Sequence, residues 1–143
     1  MQEKNVQIVK CKIGKTVSVD YLNHKDGRSY NVEDEELPHP DMKEALLAFR
    51  EDLAGAYLIM NADTREKFVP NGFVVHENEE SSFVTVVGKF ETAHGDMINV
   101  NSGKIPVEEG KEVAKRILNL RRELYMYLFD GKCSQQKIPF EEK

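Results

Sequence analysis

Two short segments near the start of the chain alternate apolar and polar residues, and this alternation constrains the fold more than any other feature. The segments are VQIVKCKI and VSVDYLN, and a turn at Gly14 and Lys15 separates them. Alternation with a period of two is typical of strands with one buried face, so the pair predicts an antiparallel hairpin. The side chains expected on its buried face are Val9, Cys11, Ile13, Val17, Val19 and Tyr21. Those expected opposite them on the first strand are Ile8, Lys10 and Lys12.

Four further segments have the composition of strands. The Asp26-Gly27 pair is a strong tight-turn signal and predicts a third strand over RSYNV. Later in the chain, KFVPNGFVVH, SFVTVVGKFE and MINVN predict three more strands. Pro70 cannot donate to a sheet ladder, so the first of these is expected to lie at an edge or to contain a bulge.

Two segments have the three-and-four spacing of amphipathic helices. Pro40 fits the first turn of a helix, and the apolar residues that follow predict one helix of about four or five turns. Its expected buried residues are Met42, Ala45, Leu46, Phe49, Leu53 and Tyr57. A second helix is expected from Pro106 to Phe129, with Gly131 ending it. Its expected buried residues are Val113, Ile117, Leu120, Leu124 and Leu128.

The order of elements is therefore three strands, a helix, three strands and a second helix. Short connections favour antiparallel meanders, and the helices would cover the apolar face of the sheet. We predict a single α+β domain over residues 1–131, with both amphipathic helices packed on one face. Residues 132–143 have no periodic pattern and are expected to form a flexible C-terminal tail.

The composition is that of an ordered, soluble domain. Of the 143 residues, 40% are hydrophobic and 31% are charged, which excludes a disordered chain. No apolar run approaches the ~20 residues of a membrane span, and the N-terminus lacks the apolar stretch of a signal peptide. We expect Cys11 and Cys133 to be free thiols in a reducing cytoplasm, and we expect no membrane association.

The charge distribution leaves room for local contact with nucleic acid. The net charge of -5 argues against a surface that coats nucleic acid in general. Nevertheless, Lys10 and Lys12 cluster on the first hairpin, and Lys115 and Arg122 lie on one side of the second helix. These four residues could contact the phosphates of single-stranded DNA. The alternative is an ordinary solvated surface, because acidic residues are interleaved with the basic ones in the helix.

One segment could bring catalytic groups together. His94, Gly95 and Asp96 would place an imidazole near a carboxylate, as in a small enzyme. No serine or cysteine nucleophile is marked by a motif, and Gly95 also explains the segment as a turn. The histidines have no partners at metal-ligand spacing, and the cysteines form no CxxC pair. We therefore expect a non-enzymatic protein with no metal and no cofactor, and keep the enzyme as an alternative.

The C-terminal segment QQKIPF places Gln135, Ile138 and Phe140 at the spacing Q-x-x-I/L-x-F. It resembles the short peptide by which bacterial replication and repair proteins dock on the DNA sliding clamp. The resemblance implies that Gln135 bonds polar groups beside a pocket, and that Ile138 and Phe140 fill the pocket. Lys137 and Pro139 depart from the usual pattern. The alternative is that the tail folds back onto its own domain.

The chain as a whole resembles small proteins carried by bacteriophages and prophages. The features that carry the resemblance are HPDMKEALLAF after an acidic strand, a β meander, and a long helix followed by GK. Such proteins often sit among genes for DNA replication or recombination. The triplet IPF also resembles the end of bacterial single-stranded-DNA-binding proteins, although three residues follow Phe140 here. We therefore expect a non-enzymatic accessory protein that docks a replication or repair protein through its tail, with direct DNA binding as an alternative and self-association as a further expectation.

Overall fold

The protein is an α+β domain built on one antiparallel sheet, as predicted. The computed structural model describes residues 5–58, 61–77 and 80–133. The strands within these ranges are β1 Val6–Ile13, β2 Val17–Asn23, β3 Arg28–Asp34, β4 Phe68–Glu77, β5 Ser82–Glu91, β6 Met97–Asn101 and β7 Ile105–Pro106. The helices are α1 Pro40–Leu47, α2 Arg50–Gly55, α3 Ala62–Arg65 and α4 Glu112–Phe129. No helix in these ranges has both the length and the apolar character needed to cross a membrane.

The sheet joins two meanders through its two central strands. The strand order is β3-β2-β1-β4-β5-β6, and the short β7 pairs with β5. Each neighbouring pair is antiparallel, including the β1–β4 pair that links the first meander to the second. Both ends of this order are edge strands, because among the described strands β3 pairs only with β2 and β6 pairs only with β5.

A bulge in β1 changes which side chains of the first strand face the core, relative to the prediction. Ile8 pairs with Tyr21 and Lys10 pairs with Asp20, so Val9 is an extra residue between them. The bulge lets Ile8 and Cys11 both face the core, and both are buried. The prediction that placed Val9 on the buried face and Ile8 opposite was therefore wrong, because strict alternation does not allow for an inserted residue. Lys10 and Lys12 are exposed, as expected.

A second bulge explains how a proline fits into the central strand β4. The register shifts between Pro70 and Gly72, which makes Asn71 the inserted residue. Pro70 thus marks a bulge in β4, one of the two outcomes that its position predicted. The strand itself lies in the middle of the sheet rather than at an edge.

The helices cover one face of the sheet and leave the other face without a covering element among the described residues. Contacts run from α1 to β4, from α2 to β4 and β5, and from α4 to α1 and β1. The largest fully buried side chains are Phe49, Phe73, Ile8, Met42, Leu53, Leu120, Leu124, Val17, Val19, Val84, Val86 and Pro38. They come from α1, α2, α4 and both meanders, so one core holds the domain together.

The first predicted helix is broken into α1 and α2. The N–H of Phe49 donates to Leu46 O, three residues back, and Phe49 has ψ near 0°. This tight turn buries Phe49 completely and brings Leu53 of α2 against Gly88 of β5. Tyr57, expected in the core, instead lies beyond α2 and is 46% exposed, with its ring stacked on Phe68. Helical spacing alone could not reveal the break, because the buried residues keep the same periodicity across it.

The second predicted helix begins later than expected. Ile105 and Pro106 form β7 and pair with Val84 and Phe83. Gly110 then has φ +82°, a conformation that a helix does not contain. The helix α4 therefore starts at Glu112 rather than at Pro106, and Ile117, Leu120, Leu124 and Tyr127 are its buried residues.

Ion pairs fasten α4 to the other helices at both of its ends. Arg116 Nη1 lies 2.7 Å from Asp52 Oδ2, which ties the start of α4 to α2. Lys132 Nζ lies 2.9 Å from both Asp41 Oδ2 and Glu123 Oε1, just after α4 ends. Cys133 then forms an isolated antiparallel bridge with Pro38. The last described residues are thus attached to the body of the domain.

We predict opposite stability changes from the same substitution at two glycines. A Cβ at Gly88 would lie 2.4 Å from Val69 O and 2.8 Å from Leu53 Cδ2, so Gly88→Ala forces the sheet and α2 apart. Overpacking of this kind costs about 2 kcal/mol. A Cβ at Gly55 meets nothing within 4 Å, so Gly55→Ala should stabilise the end of α2 by about 0.5 kcal/mol.

Urea unfolding followed by circular dichroism measures both changes. The expected result is a lower midpoint for Gly88→Ala and an equal or higher midpoint for Gly55→Ala. Equal midpoints for the two variants would show that α2 does not pack closely over β5.

Candidate ligand-binding groove on the open face of the sheet

The face of the sheet opposite the helices carries a mixture of basic, amide and small apolar side chains. The register places Lys10 beside Val74 and Lys12 beside Gly72 across the β1–β4 joint. Further side chains of this open face are Ser18 and Asp20 from β2, His76 from β4, Thr85, Val87 and Lys89 from β5, and Asn99 and Asn101 from β6. Most of these side chains are exposed or half-buried, so the face is accessible to a ligand.

A groove of about 370 Å³ lies on this face, over the middle of the sheet. Its lining residues are Lys10, Cys11, Lys12, Asn71, Val74, Val87, Gly88, Asn99, Val100 and Asn101. Gly72 pairs with Lys12 and follows Asn71, so it lies beside the groove in the β1–β4 joint. A Cβ at Gly72 would lie 2.2 Å from Cys11 O, so only glycine allows the backbones of β1 and β4 to approach this closely.

The lining of the groove is electropositive and rich in hydrogen-bonding groups. Lys10 and Lys12 contribute two ammonium groups from neighbouring positions on one face of β1. Asn71, Asn99 and Asn101 add amide side chains, and the N–H of Gly103 donates to Asn101 Oδ1 over 2.9 Å. Each amide can both donate and accept hydrogen bonds. Among the described residues, no carboxylate lines the groove, so the site favours an anionic ligand.

A negative charge on the β2 side of the groove partly offsets its positive charge. Asp20 lies next to Lys10 across β1–β2 and accepts a hydrogen bond from Asn31 Nδ2. On the other side, Lys89 pairs with Asn99 across β5–β6 and adds a positive charge. The positive charge is therefore concentrated over β1 and β5 rather than over β2 and β3.

A smaller depression of about 210 Å³ continues the basic line toward the β1–β2 turn. Its lining residues are Lys12, Gly14, Lys15, Thr16, Ser18 and Glu33. Thr16 Oγ1 donates to Glu33 Oε1 over 2.8 Å, so the Glu33 carboxylate in this lining has a hydrogen-bond partner. Lys12 belongs to both depressions, so Lys10, Lys12 and Lys15 form a line of ammonium groups along β1 and its turn.

The four basic residues predicted to contact nucleic acid do not lie together. Lys10 and Lys12 are on the open face, whereas Lys115 and Arg122 are on α4, which packs against the opposite face. Lys115 Nζ lies 3.7 Å from Glu112 Oε1, one turn away on the same helix. The four residues therefore belong to two separate surfaces, one on the open face of the sheet and one of mixed charge on α4.

Sequence reasoning missed the amide residues of the groove and the glycine beside it. Asparagine and glycine are common in turns and loops, and nothing in their local pattern marks Asn71, Gly72 or Asn99 as neighbours. The sequence did contain two signals. Pro70 indicated a bulge, and a glycine inside a strand indicates a close approach of two backbones. Their meaning depends on the long-range β1–β4 pairing, which a local pattern does not specify.

The residues of the alternative enzyme site lie at the tip of the β5–β6 hairpin. His94 and Asp96 are both exposed, and neither lines the groove. The backbone of this segment forms a turn, in which Thr92 exchanges hydrogen bonds with Gly95 and Asp96 and Gly95 has φ +85°. The turn accounts for the segment without a catalytic role.

The three residues of the predicted partner-binding peptide, Gln135, Ile138 and Phe140, lie outside the described residues. Within the described ranges, no group of three or more His, Cys, Asp or Glu side chains is placed to hold a metal ion. Comparison with protein-family models, with curated proteins and with solved structures gives no match. Function must therefore be inferred from the groove and from the sequence.

The backbone of Cys11 borders the groove, but its thiol does not face it. The side chain points into the core and is 1% exposed, and this burial raises the pKa of the thiol to about 12. The thiolate is the reactive form of cysteine, so Cys11 stays inert near neutral pH. Cys133 is half-buried at the end of the described chain.

We predict that a thiol reagent distinguishes the two cysteines. In the native protein at pH 8, Ellman's reagent should modify Cys133 and spare Cys11, whereas both should react in denaturant. The Cys133→Ser variant provides the control, because its native form should give almost no signal. Rapid reaction of that native variant would show that Cys11 is accessible from the groove.

Proposed function

We propose that the protein is a non-enzymatic accessory factor of phage or mobile-element DNA replication or recombination, and that its open sheet face holds single-stranded DNA. The observation that carries this proposal is the groove, in which Lys10 and Lys12 are the charged lining residues within the described part of the chain. The genetic setting is supported only by the resemblance of the chain to phage proteins.

The shape of the groove suits one strand better than a duplex. Lys10 and Lys12 are two positions apart on β1, so their Cα atoms are about 7 Å apart along the strand. Two ammonium groups at this spacing can contact neighbouring phosphates of one extended backbone. Val74 and Val87 offer apolar surface to a sugar or a base, and the asparagine amides offer hydrogen bonds to base edges.

The overall charge of the protein makes the interaction local and dependent on salt. A net charge of -5 repels a polyanion at long range, so attraction must come from the short basic line along β1. Few phosphates are then neutralised, which implies modest affinity. The interaction should weaken as salt increases, because binding releases counterions from the DNA.

We predict that the lysines of the groove, and not the basic residues of α4, control binding. The Lys10→Gln/Lys12→Gln variant should lose about tenfold or more in affinity for oligothymidylate at low salt. Its plot of log K against log salt should be shallower by about 1.4, because each phosphate contact contributes about 0.7 for a single strand. Fluorescence anisotropy of a labelled oligonucleotide measures both quantities.

The matched control is Lys115→Gln/Arg122→Gln, which removes the same number of charges from the helical layer. Its affinity and its salt dependence should stay close to those of the wild type. Absence of wild-type binding at low salt would overturn the proposal. Equal losses of affinity in the two variants would also overturn it, because binding would then depend on net charge rather than on the residues of the groove.

A second proposal concerns the C-terminal peptide, which we propose docks a bacterial sliding clamp. The sequence supports it through the spacing of Gln135, Ile138 and Phe140. The described chain supports it indirectly, because Lys132 is ion-paired with α1 and α4 and Cys133 forms a β-bridge with Pro38, which gives the peptide a fixed starting point. Burial of an isoleucine and a phenylalanine in a partner pocket would each contribute about 2 kcal/mol.

We predict that a labelled peptide of residues 132–143 binds purified sliding clamp and that the full chain competes with it. Ile138→Ala/Phe140→Ala should abolish binding, because both apolar anchors are lost. Lys137→Ala is the matched control and should bind like the wild type, since this residue departs from the clamp-binding pattern. Equal binding by the wild type and the double variant would rule out docking through these side chains.

A further inference from the structure

The two edges of the sheet differ in how they are protected. Edge strands expose unpaired backbone groups, and proteins commonly shield them with charged residues, proline or short length. The β3 edge carries Arg28, Glu33 and Asp34. The β6 edge has the sequence MINVN, which contains neither a charged residue nor a proline. Met97 is 50% exposed and Ile98 is 47% exposed, so the unprotected edge is also apolar.

The hydrogen bonds of β6 show which of its backbone groups face away from the sheet. The N–H of Ser102 donates to Val86 O over 2.9 Å, so Ser102 points toward β5. Alternation along the strand then directs the backbone groups of Met97, Asn99 and Asn101 outward. The N–H of Asn101 lies 3.4 Å from Tyr57 Oη. Among the described residues, no group is recorded as a partner for the outward N–H of Asn99.

We propose that β6 pairs with β6 of a second copy of this chain, antiparallel and about a two-fold axis at Asn99. In this register Asn99 faces its own copy, Ile98 faces Val100, and Met97 faces Asn101. The outward-directed residues form the hydrogen-bonded pairs, as an antiparallel ladder requires. The N–H of Asn101 would exchange its long contact of 3.4 Å to Tyr57 Oη for a bond to the Met97 carbonyl of the second copy. Ile98 and Val100 lie on the helix-covered face of the sheet, so the interface continues the apolar side of each copy.

The sequence of β6 favours a second copy over a charged partner. An isologous contact requires a surface that complements itself. The strand has no charge that would repel its own copy and none that would attract an oppositely charged peptide. The amide of Asn99 can donate to and accept from an identical amide, and Ile98 and Val100 are similar in size. Each of these features suits self-pairing.

The pairing would also join two ligand grooves, and this consequence rests on the function proposed above. Asn99 and Asn101 line the groove at its β6 side. The two-fold axis would therefore place the grooves of the two copies next to each other, with the partner's asparagines at the border. The open face would become one surface across two sheets, long enough to bind a longer single strand than one groove holds.

A disulfide trap tests the register directly. Hydrogen-bonded antiparallel neighbours have Cα atoms about 5.5 Å apart, within the range that a disulfide spans. In a Cys133→Ser background, Asn99→Cys should form a disulfide-linked dimer under mild oxidation, in high yield and without DNA. Asn31→Cys, at the exposed middle of the β3 edge, is the control and should stay monomeric. Equal cross-linking of both variants, or none at position 99, would overturn the proposed pairing.

Analytical ultracentrifugation supplies the second measurement on the protein without engineered cysteines. The wild type should sediment as a dimer with twice the 16.4 kDa mass of one chain. Asn99→Pro should be a monomer with unchanged circular dichroism, because its outward N–H takes no part in the β5–β6 ladder and proline is tolerated at such an edge position. Asn31→Lys should stay dimeric. A monomeric wild type at high concentration would overturn the proposal.

These outcomes are separable from those of the DNA-binding test. Dimer formation is measured without nucleic acid, and Lys10→Gln/Lys12→Gln should leave it unchanged because neither residue lies on β6. A dimer that binds no DNA would retain the β6 pairing and remove the proposed function. A monomer that binds DNA through its lysines would retain the proposed function and remove the β6 pairing.

Discussion

The close approach of β1 and β4 is the interaction on which the rest of the structure depends. Three residue pairs form this joint, and they hold two separate meanders in one sheet. The approach is possible only because Gly72 has no side chain to meet Cys11 O. Each strand also has a bulge near the joint, at Val9 and at Asn71. The bulges change the phase of each strand so that the apolar residues on both sides of the bulge reach the same core.

The same joint creates the candidate site. A side chain at position 72 would meet the β1 backbone at Cys11 O, whereas glycine lets β4 approach β1 closely enough to place Lys10 and Lys12 beside Asn71 and Val74 in the groove lining. The bulge brings Asn71 to the rim, and the antiparallel continuation through β5 brings Asn99 to the other side. The close backbone contact that the fold requires therefore also determines which residues lie beside the two lysines in the groove.

Local patterns predicted the elements and the fold class, because period-two and helical spacings report directly on which side of an element is buried. They failed where an element depends on distant contacts. The helix breaks at Phe49 because Leu53 packs against β5. Pro106 belongs to a strand because its segment pairs with Val84 and Phe83 of β5. The groove was predicted only in part. Lys10 and Lys12 stood out by charge, but their amide neighbours come from strands about 60 to 90 residues away in sequence.

The distribution of polar groups over the open face divides the sheet into two halves. A sheet covered by helices on one side must keep its other side soluble, and the first meander does so with Ser18, Asp20, Asn31 and Glu33. The second meander is different, because Val74, Val87 and the uncharged β6 edge leave apolar surface and backbone groups exposed side by side. Exposed apolar surface of this kind marks a place where another molecule binds. Solubility alone would favour charged residues at these positions. The adjoining apolar surface and exposed backbone groups are therefore best explained if the second meander makes both the ligand contact and the contact between copies.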